Sequence, residues 1–168
     1  LNRCSPLKDM NRPRELNTEA CLLIFDPHQD KEWMQAVIER ERGEVSHLLL
    51  GGDYFDCFDY QRHVSSGEMA EYLFELKEEW GDRLTVLLGN HDIPYVEALP
   101  WSQHGSVSSR LIYDCPGWTH AKSVEVARFL KEEFWSACRL FQAVNGYLLS
   151  HAGVAASFWQ MDCAPDEA

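Results

Sequence analysis

The stretch LLGNHD (residues 87–92) closes an apolar run, Leu87 and Leu88, with Gly89, Asn90, His91 and Asp92 in succession. Burying an amide, an imidazole and a carboxylate side by side is costly unless each finds a partner. The stretch therefore reads as a strand that delivers chemistry at its carboxyl end. The strand itself is RLTVLLGN (83–90). Two further runs upstream have the same build. CLLIFD (21–26) is a short apolar run ending in Asp26, with His28 two residues on. SHLLLGGD (46–53) ends in Asp53, with Asp56 three residues on.

Helical patterns separate these strands. KEWMQAVIERER (31–42) repeats Trp33, Ala36, Val37 and Arg40 at helical spacing, with Gly43 as a stop. GEMAEYLFELKEEWG (67–81) places Met69, Leu73, Leu76 and Trp80 on one side and ends at Gly81. Strand, helix, strand, helix, strand predicts an α/β domain with a largely parallel sheet. Residues 1–19 read as an N-terminal extension, with the domain over 20–168. Residues 93–120 read as a long, irregular, substrate-facing loop region. AKSVEVARFLKEEFWSAC (121–138) reads as one helix. RLFQAVNGYLLSHAG (139–153) reads as a hairpin turning at Asn145-Gly146. Its second strand ends in Ser150 and His151.

Open α/β sheets bind ligands beyond the carboxyl ends of their strands. Four strands bring Asp26, His28, Asp53, Asp56, Asn90, His91 and His151 to such ends. An aspartate after a strand is ordinarily a cap or turn residue, and a single histidine an ordinary polar group. The joint recurrence at successive strand ends is what points to a site. Carboxylate, imidazole and amide oxygen suit divalent first-row metals. A carboxylate such as Asp53 can bridge two ions, and a two-metal site suits phosphoryl transfer.

The bulk numbers fit this reading. The 168 residues suffice for one sizeable core. Apolar residues make up 45% and charged residues 25% of the chain, as in soluble globular proteins. The formal charge of -12 and the lack of a Lys/Arg cluster speak against a nucleic-acid partner. No apolar stretch approaches the roughly 20 residues that span a bilayer, so no membrane partner is expected. The six cysteines form no C-x-x-C pair and read as free thiols in a reducing, cytoplasmic compartment. Neither G-x-G-x-x-G nor G-x-x-x-x-G-K-[ST] occurs, which sets aside Rossmann and P-loop nucleotide sites.

Taken in order, D-x-H (26–28), G-D-x-x-D (52–56), G-N-H-D (89–92) and S-H-A-G (150–153) resemble the motif series of the calcineurin-like metallophosphoesterase superfamily, in its protein-phosphatase-like branch. The resemblance implies an α/β/β/α sandwich and two divalent metal ions such as manganese, iron or zinc. It implies Asp26, His28 and Asp53 on one ion, and Asp53, Asn90 and His151 on the other. It implies that His91 protonates the leaving oxygen while Asp56 orients it. The expected activity is hydrolysis of phosphate monoesters by a metal-bridging hydroxide, with a phosphorylated substrate as partner. A phosphodiesterase, a dinucleotide hydrolase and a catalytically incomplete metal-binding or interaction domain are the alternatives.

The sequence departs from the branch in two respects. Protein phosphatases of this type usually read G-D-x-V-D-R-G, whereas here Cys57-Phe58 stand in place of the phosphate-gripping Arg-Gly. Arg110 is the candidate substitute. The closing G-H-x-H motif is absent, and the chain begins at Leu1 rather than Met. The expectation is a sandwich incomplete at its C-terminus, a fragment of a longer protein. His63, His104 and His120 are the histidines that remain as substitutes, with His47 placed away from the site. Tyr54 and Phe55 are expected to pack.

Overall fold

The computed structural model describes residues 15–57, 63–98 and 115–153. The two early helices form where expected. Helix α1 is Lys31–Glu41, capped by the Asp30 side chain, which accepts from the Trp33 N–H. Helix α2 is Ser66–Trp80 and starts on a capping box, Ser65 with Glu68. The strands around them are β2 (Cys21–Ile24), β3 (His47–Leu50) and β4 (Leu84–Val86). They pair in parallel in the order β2-β3-β4, with Leu22 opposite Leu48 and Leu48 opposite Leu84.

Alternation along β3 explains the layering. Leu48 and Leu50 face α1 and α2 and join Met34, Ile38, Met69, Leu73, Leu76 and Trp80 in the main core. Leu49 points the other way and packs with Leu87, Val144, Leu16 and Leu149. Those last residues belong to a second sheet: β1 (Glu15–Leu16), β5 (Phe141–Val144) and β6 (Tyr147–Ser150), in the order β1-β5-β6. Completely burying each leucine contributes about 1.5–3 kcal/mol, so both faces of β3 act as anchors. The described residues thus build three layers of the expected sandwich, α/β/β.

The hairpin is as expected. Asn145 and Gly146 both take left-handed backbone angles, φ 49° and 82°, which the tight turn requires. The Asn145 side chain accepts from the Thr18 N–H and donates to the Thr18 carbonyl, tying the turn to the lead-in. Residues 15–16, read within the N-terminal extension, pair with β5. Just before β5, Arg139 exchanges hydrogen bonds with Val86 and Leu88 at the end of β4. That contact joins the hairpin to the first sheet.

Two regions differ from the sequence reading. The segment 121–138 is two helices, α4 (His120–Phe129) and α5 (Glu132–Ala137). Leu130 leaves the helical angles, buries itself completely, and its carbonyl accepts from the Trp135 indole. Beyond the break, Phe134 and Trp135 pack in the main core together with Leu130. The loop region opens with a short helix, α3 (Ile93–Glu97). Cys21, Cys115 and Cys138 are free thiols. No helix among the described residues is long and apolar enough to cross a membrane.

Candidate metal centre

Beyond the sheet, the segments following β2 and β3 stay zipped together. The N–H groups of Asp26, His28 and Gln29 donate to the carbonyls of Gly52, Asp53 and Tyr54. Along this zipper Asp26, His28, Gln29, Asp53 and Asp56 all adopt left-handed backbone angles, φ 41–74°. Such angles cost of order 1–3 kcal/mol each for residues with side chains, and they gather where the surrounding structure enforces a functional geometry.

Asp53 is the hub. Its side chain is 5% exposed, and its Oδ2 lies 3.7 Å from His28 Nε2 and 3.3 Å from His151 Nε2. Its Oδ1 accepts from the His91 backbone N–H at 3.0 Å. His151 Nε2 also lies 3.2 Å from Asn90 Oδ1 and 3.9 Å from Asp26 Oδ1. Both imidazoles are oriented from behind. His28 Nδ1 meets the Asp56 carbonyl at 3.2 Å, and His151 Nδ1 meets the Gly51 carbonyl at 2.9 Å. The structure thus brings together the five residues expected as ligands: Asp26, His28, Asp53, Asn90 and His151. Asp26, Asp53 and His151 offer ligand atoms within 4.8 Å of one another.

Gly89 makes the cluster possible. A Cβ there would lie 2.1 Å from Asp53 Oδ1 and 2.6 Å from its backbone nitrogen. Only a glycine lets the turn after β4 approach Asp53 this closely.

His91 and Asp56 sit beside this cluster. His91 Nδ1 faces Asp56 Oδ2 at 3.5 Å, and its ring meets that of His28 edge-on, centroids 5.4 Å apart. Asp56 is completely buried; Tyr95 donates to its Oδ1 at 2.6 Å and Lys122 at 3.1 Å. Cys115 Sγ lies 3.4 Å from His91 Nδ1 and 3.5 Å from Asp56 Oδ2. Asp56, His91 and Cys115 converge closely enough to hold a cation too. The chemistry argues against it. The Lys122 ammonium already faces Asp56 and supplies its counter-charge. Burial, followed by the Asp56 charge, pushes the Cys115 thiol up to about 12.

Several supporting residues escaped the sequence reading. Asp92, noted only as the acid following His91, is completely buried and accepts from the N–H groups of Asp53, Tyr54 and Gly89 at 2.8–3.0 Å. It clamps the turns after β3 and β4 to each other. Burial pushes its carboxyl up to about 7, against the pull of those three donors. Gln29 accepts from the Cys57 N–H and donates to the Val64 carbonyl, bracketing the loop after Asp56. Tyr54 and Phe55 are buried as expected, and the Tyr54 hydroxyl also bridges Gly52 N–H and the Leu87 carbonyl. Tyr95, Cys115 and Lys122 gave no signal, because lone polar residues in irregular or helical segments look like surface residues.

Among the described residues, His63 and His120 join neither group of potential ligands. His47 is buried at the start of β3 against the Thr85 hydroxyl, and burial with the Arg83 charge lowers its pKa. His63 Nδ1 is buried with no hydrogen-bond partner among the described residues, and His120 is exposed at the start of α4. His104 and Arg110 lie outside the described residues.

The comparisons with known proteins agree with this geometry. Residues 23–160 match the family model of the calcineurin-like phosphoesterases. No curated protein sequence matches the chain at a significant level. The match spans the zipper, the Asp53 hub and the hairpin that carries His151, and the chain belongs to the calcineurin-like phosphoesterase family of metal-dependent hydrolases acting on phosphoester bonds.

Proposed function

We propose that the cluster around Asp53 holds two divalent ions and that the protein hydrolyses phosphate monoesters. Asp26, His28 and Asp53 would hold one ion; Asp53, Asn90 and His151 would hold the other. Manganese, iron or zinc suits these oxygen and imidazole donors. One observation carries the reading. His28 and His151 each turn Nδ1 to a backbone carbonyl and Nε2 toward Asp53 Oδ2. An imidazole backed by a carbonyl, with its other nitrogen aimed at a carboxylate oxygen, is the usual arrangement of a metal-ligating histidine.

Bound ions would supply Lewis acidity to the phosphoryl oxygens and lower the proton affinity of water. The chain's own residues do the rest. Asp26, with a side chain 57% exposed, lies on the open side of the cluster, where an ester could approach. His91, 8% exposed, faces Asp56 through Nδ1, so Nε2 is the atom that would give a proton to the departing oxygen. The Asp56 carboxylate holds that ring through Nδ1. The free thiols of Cys21, Cys115 and Cys138 fit a reducing compartment, and we assign the protein to the cytoplasm.

The test is calorimetric titration of manganese into the metal-free protein, then hydrolysis of nitrophenyl phosphate beside bis(nitrophenyl) phosphate. Two binding events and faster monoester turnover are expected. Faster diester turnover would make the protein a phosphodiesterase. The second reading is a metal-binding domain without turnover. Metal uptake with neither ester cleaved would establish that reading instead.

A further inference from the structure

Asp56 has no exposure to solvent, so its two carboxylate oxygens depend wholly on protein partners. The partners divide cleanly. Oδ1 accepts from the Tyr95 hydroxyl at 2.6 Å and from Lys122 Nζ at 3.1 Å. Oδ2 faces His91 Nδ1 and the Cys115 thiol, each at 3.5 Å. Lys122 stands in the first turn of α4 and belongs to none of the four motifs. Its ammonium also donates to the Gly117 carbonyl at 2.6 Å, which fixes its position over Asp56. The turn is pressed against the carboxylate: Gly117 has φ 100°, and a Cβ there would lie 2.9 Å from Asp56 Cβ.

We propose that Lys122 is a positioning residue for His91: by holding Oδ1 of Asp56 together with Tyr95, it directs Oδ2 at Nδ1 of the imidazole. This rests on the reading of His91 as proton donor. The reason is geometric. A carboxylate is symmetric about its axis, and only its donors distinguish the two oxygens. Two strong donors on Oδ1, one of them charged, set the plane of the group. Without Lys122, the carboxylate can turn toward Tyr95, Cys115 or His91 with either oxygen. The Nδ1–H of His91 then loses its fixed acceptor, and the ring loses the constraint that puts its proton-transferring nitrogen, Nε2, toward the leaving group. Lys122 also neutralises a buried charge, so its removal lowers stability as well. The experiment must separate these effects.

The first measurement uses metal-free protein with 15N-labelled histidine, at a pH where the ring is neutral. In the unsubstituted protein His91 should carry its proton on Nδ1. Lys122→Met should shift the tautomer toward Nε2–H, and Lys122→Arg should keep it on Nδ1. Lys122→Gln, a milder change that retains a donor without the charge, should shift it in the same direction as Lys122→Met and serves if that variant does not fold. The second measurement uses manganese-loaded protein. Lys122→Met should lower kcat on an alkyl phosphate by about 10–100-fold, the usual effect of losing a group that orients an active-site residue. The loss should be smaller on nitrophenyl phosphate, with KM unchanged on both. A proton on Nε2 in the unsubstituted protein overturns the proposal whatever the variants do. So does an unchanged tautomer in Lys122→Met or Lys122→Gln beside a lowered melting temperature, which would make Lys122 a structural tie. If the unsubstituted protein cleaves no ester, the proposed activity fails, and the tautomer alone decides the role of Lys122.

Discussion

Asp53 and His91 are joined through the backbone: the His91 N–H donates to Asp53 Oδ1 at 3.0 Å, leaving Oδ2 to the imidazoles of His28 and His151. One carboxylate therefore links the candidate metal centre to the candidate proton donor. Asp53→Asn keeps an oxygen for the His91 N–H but removes the charge both ions would share. Dialysed samples of Asp53→Asn and Asp26→Asn should show the larger metal loss in Asp53→Asn, with at most one ion per chain. Retention of two ions in Asp53→Asn would refute the bridging assignment. Asp26, with a side chain 57% exposed, should be the milder loss.

His91→Ala should leave metal content intact and slow turnover by about 10²–10⁴-fold, the range for a lost general acid. The penalty should shrink for nitrophenyl phosphate, whose leaving group needs little protonation, and grow for alkyl phosphates. An equal loss on both substrates would make His91 structural or a ligand.

Gly89→Ala should destabilise the protein by about 1–3 kcal/mol, as overpacking does, and weaken metal uptake. The added methyl would occupy the space of Asp53 Oδ1, 2.1 Å away. Gly43→Ala is the control, because nothing lies within 4 Å of its Cβ position. Thermal melts and metal titrations of the two variants check this. Equal behaviour would mean that the turn after β4 yields without disturbing Asp53.

The pH dependence of folding should carry a contribution from His47, whose pKa is lowered first by burial and then by the Arg83 charge. The unfolded chain takes up this proton near pH 6.5, the folded chain only at lower pH. His47 therefore adds no penalty above pH 6.5, and stability falls as pH drops from 6.5 toward the folded value. His47→Gln should remove that part of the fall. Melting temperatures of the two proteins from pH 8 to pH 5 give the test, and a constant gap over that range would contradict it.

What could be read from the chain alone was local. Each ligand candidate stands within three residues of the end of an apolar run, so the strand ends mark Asp26, His28, Asp53, Asn90 and His151 without knowledge of the pairing. Asn145-Gly146 set the hairpin because a tight turn needs two left-handed residues, and few dipeptides supply them. The parallel pairing of β2, β3 and β4 then brings three strand ends to one edge, and the antiparallel hairpin of the second sheet adds His151. The remainder is long-range and depends on burial. Asp92, Gln29, Tyr95, Cys115 and Lys122 are polar residues whose partners lie far along the chain, such as Lys122 and Asp56, 66 residues apart. A buried aspartate gripping three N–H groups and a surface aspartate in a turn are the same letter in the same context. The break at Leu130 has no glycine or proline to mark it, and it is held by the Trp135 indole, which donates to the Leu130 carbonyl in the folded core. Strand ends are fixed by local pattern, whereas the partners of buried charges are fixed by packing, and only the folded chain shows which polar residues have left the solvent.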